Sequence, residues 1–175
     1  MKFWNCCLLS VLSAATVGCS LPQRYSEPAP GAEGAELMLS RRVPVHLERA
    51  VHYVHAFEND RCVETRNSGF LATLIKPSSE AFNLSKVKEE HSVRVAAGRP
   101  LFIRVRASQV LDSRRQSTKV QHCDNLVSFT PLHGKTYSIK QLYDGDQCIT
   151  TVLDTAWQRP PQDFVALPAG GQCGR

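Results

Sequence analysis

The sequence predicts an all-β chain folded as an antiparallel β-sandwich in one domain. Three observations carry this. Apolar and polar residues alternate with a period of two through several runs rich in β-branched and aromatic side chains. Clusters of Pro, Gly and Asp separate the runs at short intervals. Cysteines recur through the same stretch, the usage expected of an exported domain pinned by disulfides.

In chain order, RVPVHL (residues 42–47) reads as a strand, with Pro44 suiting a sheet edge. AVHYVHAF (50–57) reads as a strand rather than a helix, followed by short CVET and FLATLI strands. KPSSEAFNLSKVKEE (76–90) is polar, with room for one helical turn around Ser79 to Leu84. In SVRV-AAGR-PLFIRVRAS, Val93 and Val95 alternate with Ser92 and Arg94, and Leu101, Ile103 and Val105 with Phe102, Arg104 and Arg106. Gly98 offers a positive φ between them, so the pair reads as a hairpin. LVSFT-PLHGK-TYSIKQLY reads as a second hairpin, and Asp144-Gly145-Asp146 turns into QCITTVLD. Three such runs suggest a meander. The tail after Trp157 holds Pro160, Pro161, Pro168 and a Gly pair, an extended finish. The sum is roughly seven to nine short strands, arranged as in immunoglobulin-like or transthyretin-like sandwiches.

Ahead of this domain stands MKFWNCCLLSVLSAATVGCS. Lys2 precedes an uncharged run from Phe3 to Val17, the layout of an export signal. The run is shorter than the roughly 20 apolar residues that span a bilayer. Ser13-Ala14-Ala15 would suit an ordinary signal peptidase. Thr16-Val17-Gly18-Cys19 resembles the lipobox of bacterial lipoproteins, with Thr16 where leucine is usual. That resemblance implies a diacylglycerol on the Cys19 thiol and cleavage before it. Cysteine counting argues the same way. Of seven cysteines, Cys6 and Cys7 leave with the leader. Lipidation of Cys19 then turns an odd set into an even one: Cys62, Cys123, Cys148 and Cys173. Four cysteines allow three pairings. Cys123 and Cys148 each begin a run, which favours joining them and Cys62 with Cys173. The second bridge would pin the tail by closing a long loop, worth about 4.7 kcal/mol in the chain-entropy model.

The expected boundaries are therefore a leader over 1–18, a flexible tether over 19–36 and a sandwich over 37–175. The tether is rich in Pro, Gly, Ala and Glu and cannot bury a core. By resemblance to Gram-negative lipoproteins, Ser20 implies sorting to the outer membrane, with the domain on its periplasmic face. The segment FTPLHGKTY and the cysteine-bearing strand after it resemble small uncharacterised proteobacterial lipoproteins over about 60 residues. No function comes with that likeness.

The chain carries +5, less Lys2 once the leader is gone. This mild charge and the exported address argue against nucleic acid as a partner. Among the six histidines, His52 and His55, near Glu58 and Asp60, would share a face only on a helix; on a strand they diverge. No metal or cofactor is expected. The sequence has no Gly-x-Ser-x-Gly elbow, phosphate loop or dinucleotide fingerprint, and exported paired cysteines do not supply a nucleophile. The expectation is a non-enzyme with a binding or support role in the envelope. An accessory lipoprotein of an envelope secretion system (a pilotin or assembly factor) is the alternative, and an envelope hydrolase comes third. The one positive hint is basic. Arg94, Arg104 and Arg106 would share the outer face of the first hairpin, with Arg114, Arg115 and Lys119 following. Such a patch suits an anionic glycolipid or an acidic envelope protein. The competing reading is a charged outer sheet face that resists edge pairing.

Overall fold

The computed structural model describes residues 23–47, 49–76, 89–114, 117–145 and 147–167. They form two packed sheets, as the alternating pattern requires. The strands are β1 (Gly34–Arg42), β2 (Val51–Phe57), β3 (Gly69–Leu74), β4 (Glu90–Ala96), β5 (Leu101–Arg114), β6 (Ser117–Phe129), β7 (Thr136–Tyr143), β8 (Cys148–Asp154) and β9 (Val165–Leu167). One sheet runs β4-β1-β7-β8 and the other β3-β2-β5-β6-β9. All pairings are antiparallel except β1 with β7, which is parallel. Among the described residues no helix is long and apolar enough to cross a membrane.

Alternation fills the space between the sheets. Leu37, Leu39, Val93, Val95, Tyr137, Ile139 and Val152 face inward from one side. Val54, Leu74, Ile103, Val105, Val127 and Phe129 meet them from the other. The Phe129 and Tyr137 rings pack 4.9 Å apart. A smaller cluster of Leu47, Ala50, Ala107, Cys123 and Tyr143 closes the opposite end. There the Cys123–Cys148 disulfide ties β6 to β8 across the sandwich, with Cα atoms 5.5 Å apart. Beside it, half-buried Asn125 accepts from Gln141 Nε2 (3.0 Å) and Thr150 Oγ1 (3.1 Å) and donates to the Cys148 carbonyl (3.0 Å), while the buried Gln141 Oε1 has no hydrogen-bond partner among the described residues. Cys62 is also disulfide-bonded, to a partner outside the described residues. Cys19 and Cys173 lie outside them too, as does the expected helical turn around 79–84.

Several expectations need correction. Neither predicted hairpin pairs with itself. β4 joins β1 while β5 joins β2 and β6. β6 and β7 likewise fall in different sheets. Both connections carry the chain from one sheet to the other, because each short turn serves a crossing as well as a hairpin. Of the runs expected to form a meander only β7 and β8 pair as a hairpin, so there is no three-strand meander, whereas β2 does pair with the FLATLI run in β3 as its strand reading expects. RVPVHL is the end of β1 and a 3-10 turn at Val45–Leu47, since Pro44 interrupts the strand. CVET lies in the β2–β3 loop, where Cys62 takes a φ of 53°.

The segment expected as a flexible tether is bonded to the fold from Gln23 onward. Gln23 accepts from the Phe70 backbone N–H (2.8 Å), and Tyr25 donates its own to the Phe70 carbonyl (3.1 Å). Gln23 Nε2 reaches the Thr65, Arg66 and Ser68 carbonyls. The Tyr25 hydroxyl accepts from Ala96 N–H (3.3 Å). Arg94 donates to the carbonyls of Ala29, at 3.3 Å, and Ala32. This strap explains Gly69: a methyl there would stand 2.4 Å from the Tyr25 nitrogen.

Candidate functional site

The predicted basic patch is dispersed. Arg94 sits on β4, in the sheet opposite Arg104 and Arg106, and is engaged with the strap. Arg104 and Arg106 do share the outer face of β5, but both turn to Asp124 on β6. Arg104 grips the carboxylate twice, Nε to Oδ1 at 3.0 Å and Nη2 to Oδ2 at 2.5 Å. Arg106 Nη2 stands 3.4 Å from Oδ2. One carboxylate thus serves two guanidiniums. That hydrogen bond raises the Arg104 pKa and keeps its guanidinium charged. Arg114 ends β5 and Lys119 lies in β6, at the far tip of their hairpin. Their side chains, and Arg115 altogether, are outside the description.

The two histidines diverge as strand geometry requires. His52 points inward and is fully buried; burial, and then the charge of Arg41, push its pKa down to about 4. His55 points outward, edge-on to Phe70. Its pKa is lowered, chiefly by burial. Among the described residues no three His, Cys, Asp or Glu side chains are grouped to hold a metal ion.

What the sequence reading missed is a cleft of about 810 Å³ at one end of the sandwich. The β6–β7 crossing supplies Thr130, Leu132 and Lys135; the stretch after β8 supplies Trp157, Arg159 and Asp163. Its centre is Trp157, 63% exposed. Lys135 Nζ lies 5.8 Å from the indole centroid and Arg159 Cζ 5.6 Å, both within cation–π range.

The loop presenting Trp157 is locked from beneath. Asp154 Oδ1 accepts the backbone N–H groups of Ala156 (2.9 Å) and Trp157 (3.4 Å), while Oδ2 accepts Lys135 Nζ at 2.9 Å. These bonds, the one from Lys135 foremost, hold the carboxyl below the usual range. Gln158 adopts a φ of 52°, held by its N–H on the Asp154 carbonyl (2.8 Å) and its Nε2 on the Thr155 carbonyl (2.8 Å). Across the cleft, Asp163 accepts the Thr130 N–H at 2.9 Å, and Leu132 donates its N–H to the Tyr137 hydroxyl at 3.1 Å. The cleft therefore offers an apolar plate with two cations close to it on a fixed frame. The signal in the sequence was WQRPPQD, a large aromatic in a stretch with no alternation to bury it.

Comparison with known proteins returns no match to a family model, a curated protein or a solved structure.

Proposed function

We propose that this chain is a lipid-anchored, non-enzymatic protein of the bacterial cell envelope, acylated on Cys19 and acting by binding or support. The observation that favours binding is the Trp157 cleft. Its aromatic plate is exposed, its loop is preorganised, and its carboxylates Asp154 and Asp163 are already engaged by Lys135 and backbone N–H groups. Asp154 is held ionised by Lys135 and by backbone donors, the opposite of the raised carboxyl pKa that general acid catalysis near neutrality uses. That equipment suits holding a partner. The lipobox resemblance and the cysteine count support the anchor, and the resemblance at Ser20 supports the outer membrane, at its periplasmic face.

A second reading, an accessory lipoprotein of an envelope secretion system, draws on the β5–β6 hairpin. β2 accompanies β5 only as far as Ser108, while β5 and β6 continue pairing to Arg114 and Ser117. A projecting hairpin is a natural handle for a protein partner. An anionic glycolipid is less favoured, because Arg104 and Arg106 share Asp124.

The test is the intact mass of the protein purified from its own membrane, before and after reduction. The proposal expects a chain beginning at Cys19 with added acyl chains, gaining two hydrogens per bridge from two disulfides. Cys19→Ala should abolish processing or release the domain from membranes. An unacylated chain starting near Thr16 refutes the anchor.

A further inference from the structure

We infer that the end of the sandwich bearing the Trp157 cleft is seated on the lipid bilayer, with Trp157 and Leu132 at the headgroup level. This rests on the lipid-anchor reading of Cys19 and adds an orientation and a docking surface to it.

The first argument is the length of the leash. Gln23 is hydrogen-bonded to the loop before β3 and to Phe70. Only residues 20–22 separate it from Cys19. Four Cα steps, fully extended, reach roughly 14 Å. A free tether running to Glu36 would have reached about 55 Å or more. The domain therefore cannot hover: an acylated Cys19 holds the Gln23 corner within that short distance of the membrane.

The second argument is where that corner lies. Gly69 pairs with Ala56, Phe57 with Phe102 and Leu101 with Phe129, so the start of β3 shares an end with the close of β6. In the other sheet, Gly34 pairs with Ala96 and Tyr137 with Asp154. The two sheets are joined at this end by Gly98 N–H to the Pro131 carbonyl (2.8 Å) and by Arg99 to Glu58 (3.0 Å). The cleft between residues 130–135 and 154–163 opens on the same end. β3 and β6 are three strand spacings apart, about 15 Å. The anchor and Trp157 thus mark two separate points of one end face, which is what fixes a tilt.

The third argument is chemistry. Single exposed apolar residues are ordinary on protein surfaces. Trp157 and Leu132, 63% and 54% exposed, differ because the leash brings their end face to the bilayer. An indole prefers the membrane–water interface, and the stem of Arg159 can lie along the apolar zone with its charge at the phosphates. The end is not a basic surface: Lys135 is paired with Asp154, Arg99 with Glu58. Seating is thus driven by the apolar side chains and by the leash, with little dependence on anionic lipid.

The mature chain makes the test direct. Trp4 leaves with the leader, so Trp157 is then its only tryptophan. The native lipoprotein is reconstituted into vesicles of phosphatidylcholine and phosphatidylethanolamine, and its flotation, acyl mass and fluorescence are measured. We expect Trp157 emission to shift to shorter wavelength and to be quenched severalfold by lipids brominated near the headgroup. Adding phosphatidylglycerol should leave both unchanged, and Leu132→Ser should weaken the quenching. Acylated protein that floats with the vesicles but keeps a water-exposed, unquenched Trp157 overturns the seating and leaves the anchor standing. That result is also expected if the cleft is reserved for a soluble ligand or a protein partner. Protein without acyl mass that does not float removes the anchor and the seating together.

Discussion

His52 lies on the inward face of β2, fully buried between the sheets. Its imidazole must stay neutral there, because burial and the nearby Arg41 guanidinium both oppose a second proton. The unfolded chain titrates this histidine near 6.5 and the folded protein near 4. Between those values the unfolded state binds a proton that the native state refuses. Stability from this residue is complete above pH 6.5 and is lost as the pH falls toward 4, by roughly 3 kcal/mol in all. His55, also lowered, adds in the same direction. Guanidinium unfolding at pH 7 and pH 4.5 should show the loss. In His52→Leu the difference between the two pH values should shrink, whatever happens to stability at neutrality. An undiminished difference would place the acid sensitivity elsewhere. Asp154 and Glu58, both held below the ordinary carboxylate range by hydrogen bonds, contribute losses at still lower pH.

Among the elements, the strap before β1 carries the largest functional consequence. Its Gly, Pro and Ala content has no apolar period, yet backbone bonds from Gln23 and Tyr25 and the Arg94 side chain lay it across the domain. It fits because Gly69 has no side chain. Gly69→Ala places a methyl against the Tyr25 nitrogen and the Arg24 carbonyl carbon, at 2.4 and 2.6 Å. The expected cost is about 1–3 kcal/mol, through displacement of the strap. Limited proteolysis should cut this variant between residues 23 and 33 while sparing the wild type. Equal protection would mean that the backbone absorbs the methyl and the strap stays in place. A similar economy governs β5 and β6, where Asp124 binds both outward arginines. Their charges stabilise a strand pair rather than forming an open anion-binding site.

On the scale of the whole molecule, the two ends differ. One carries the strap, the β4–β5 and β6–β7 crossings and the Trp157 cleft. The other carries the disulfide, the polar network of Asn125, Gln141 and Thr150, and the projecting β5–β6 hairpin. β5 alone spans about 45 Å from Leu101 to Arg114, so a membrane at the cleft end leaves the hairpin tip pointing away from it. The Cys123–Cys148 bridge fastens the sheets at the end the strap does not reach. Replacing both cysteines by serine should lower unfolding free energy by roughly 3 kcal/mol, read from the denaturant midpoint. A negligible change would mean that core packing alone holds the sheets together there.

The sequence by itself determined the β class, the inward and outward sides of most strands and the opposed histidines of β2. These follow from a local rule: successive side chains on a strand point to opposite faces, and buried faces must be apolar. Tertiary structure decided which strands pair. The turns at Gly98 and at Pro131–Gly134 look alike whether the chain doubles back or crosses to the facing sheet. The choice between them rests on β1, which takes β4 on one side and β7 on the other. β1 in turn rests on residues 34–36, whose composition resembles that of a linker. The Trp157 cleft was hidden for the same reason, because its two walls lie in loops that meet only after both crossings are made. Alternation is written residue by residue, whereas sheet membership is set by long-range competition for free strand edges.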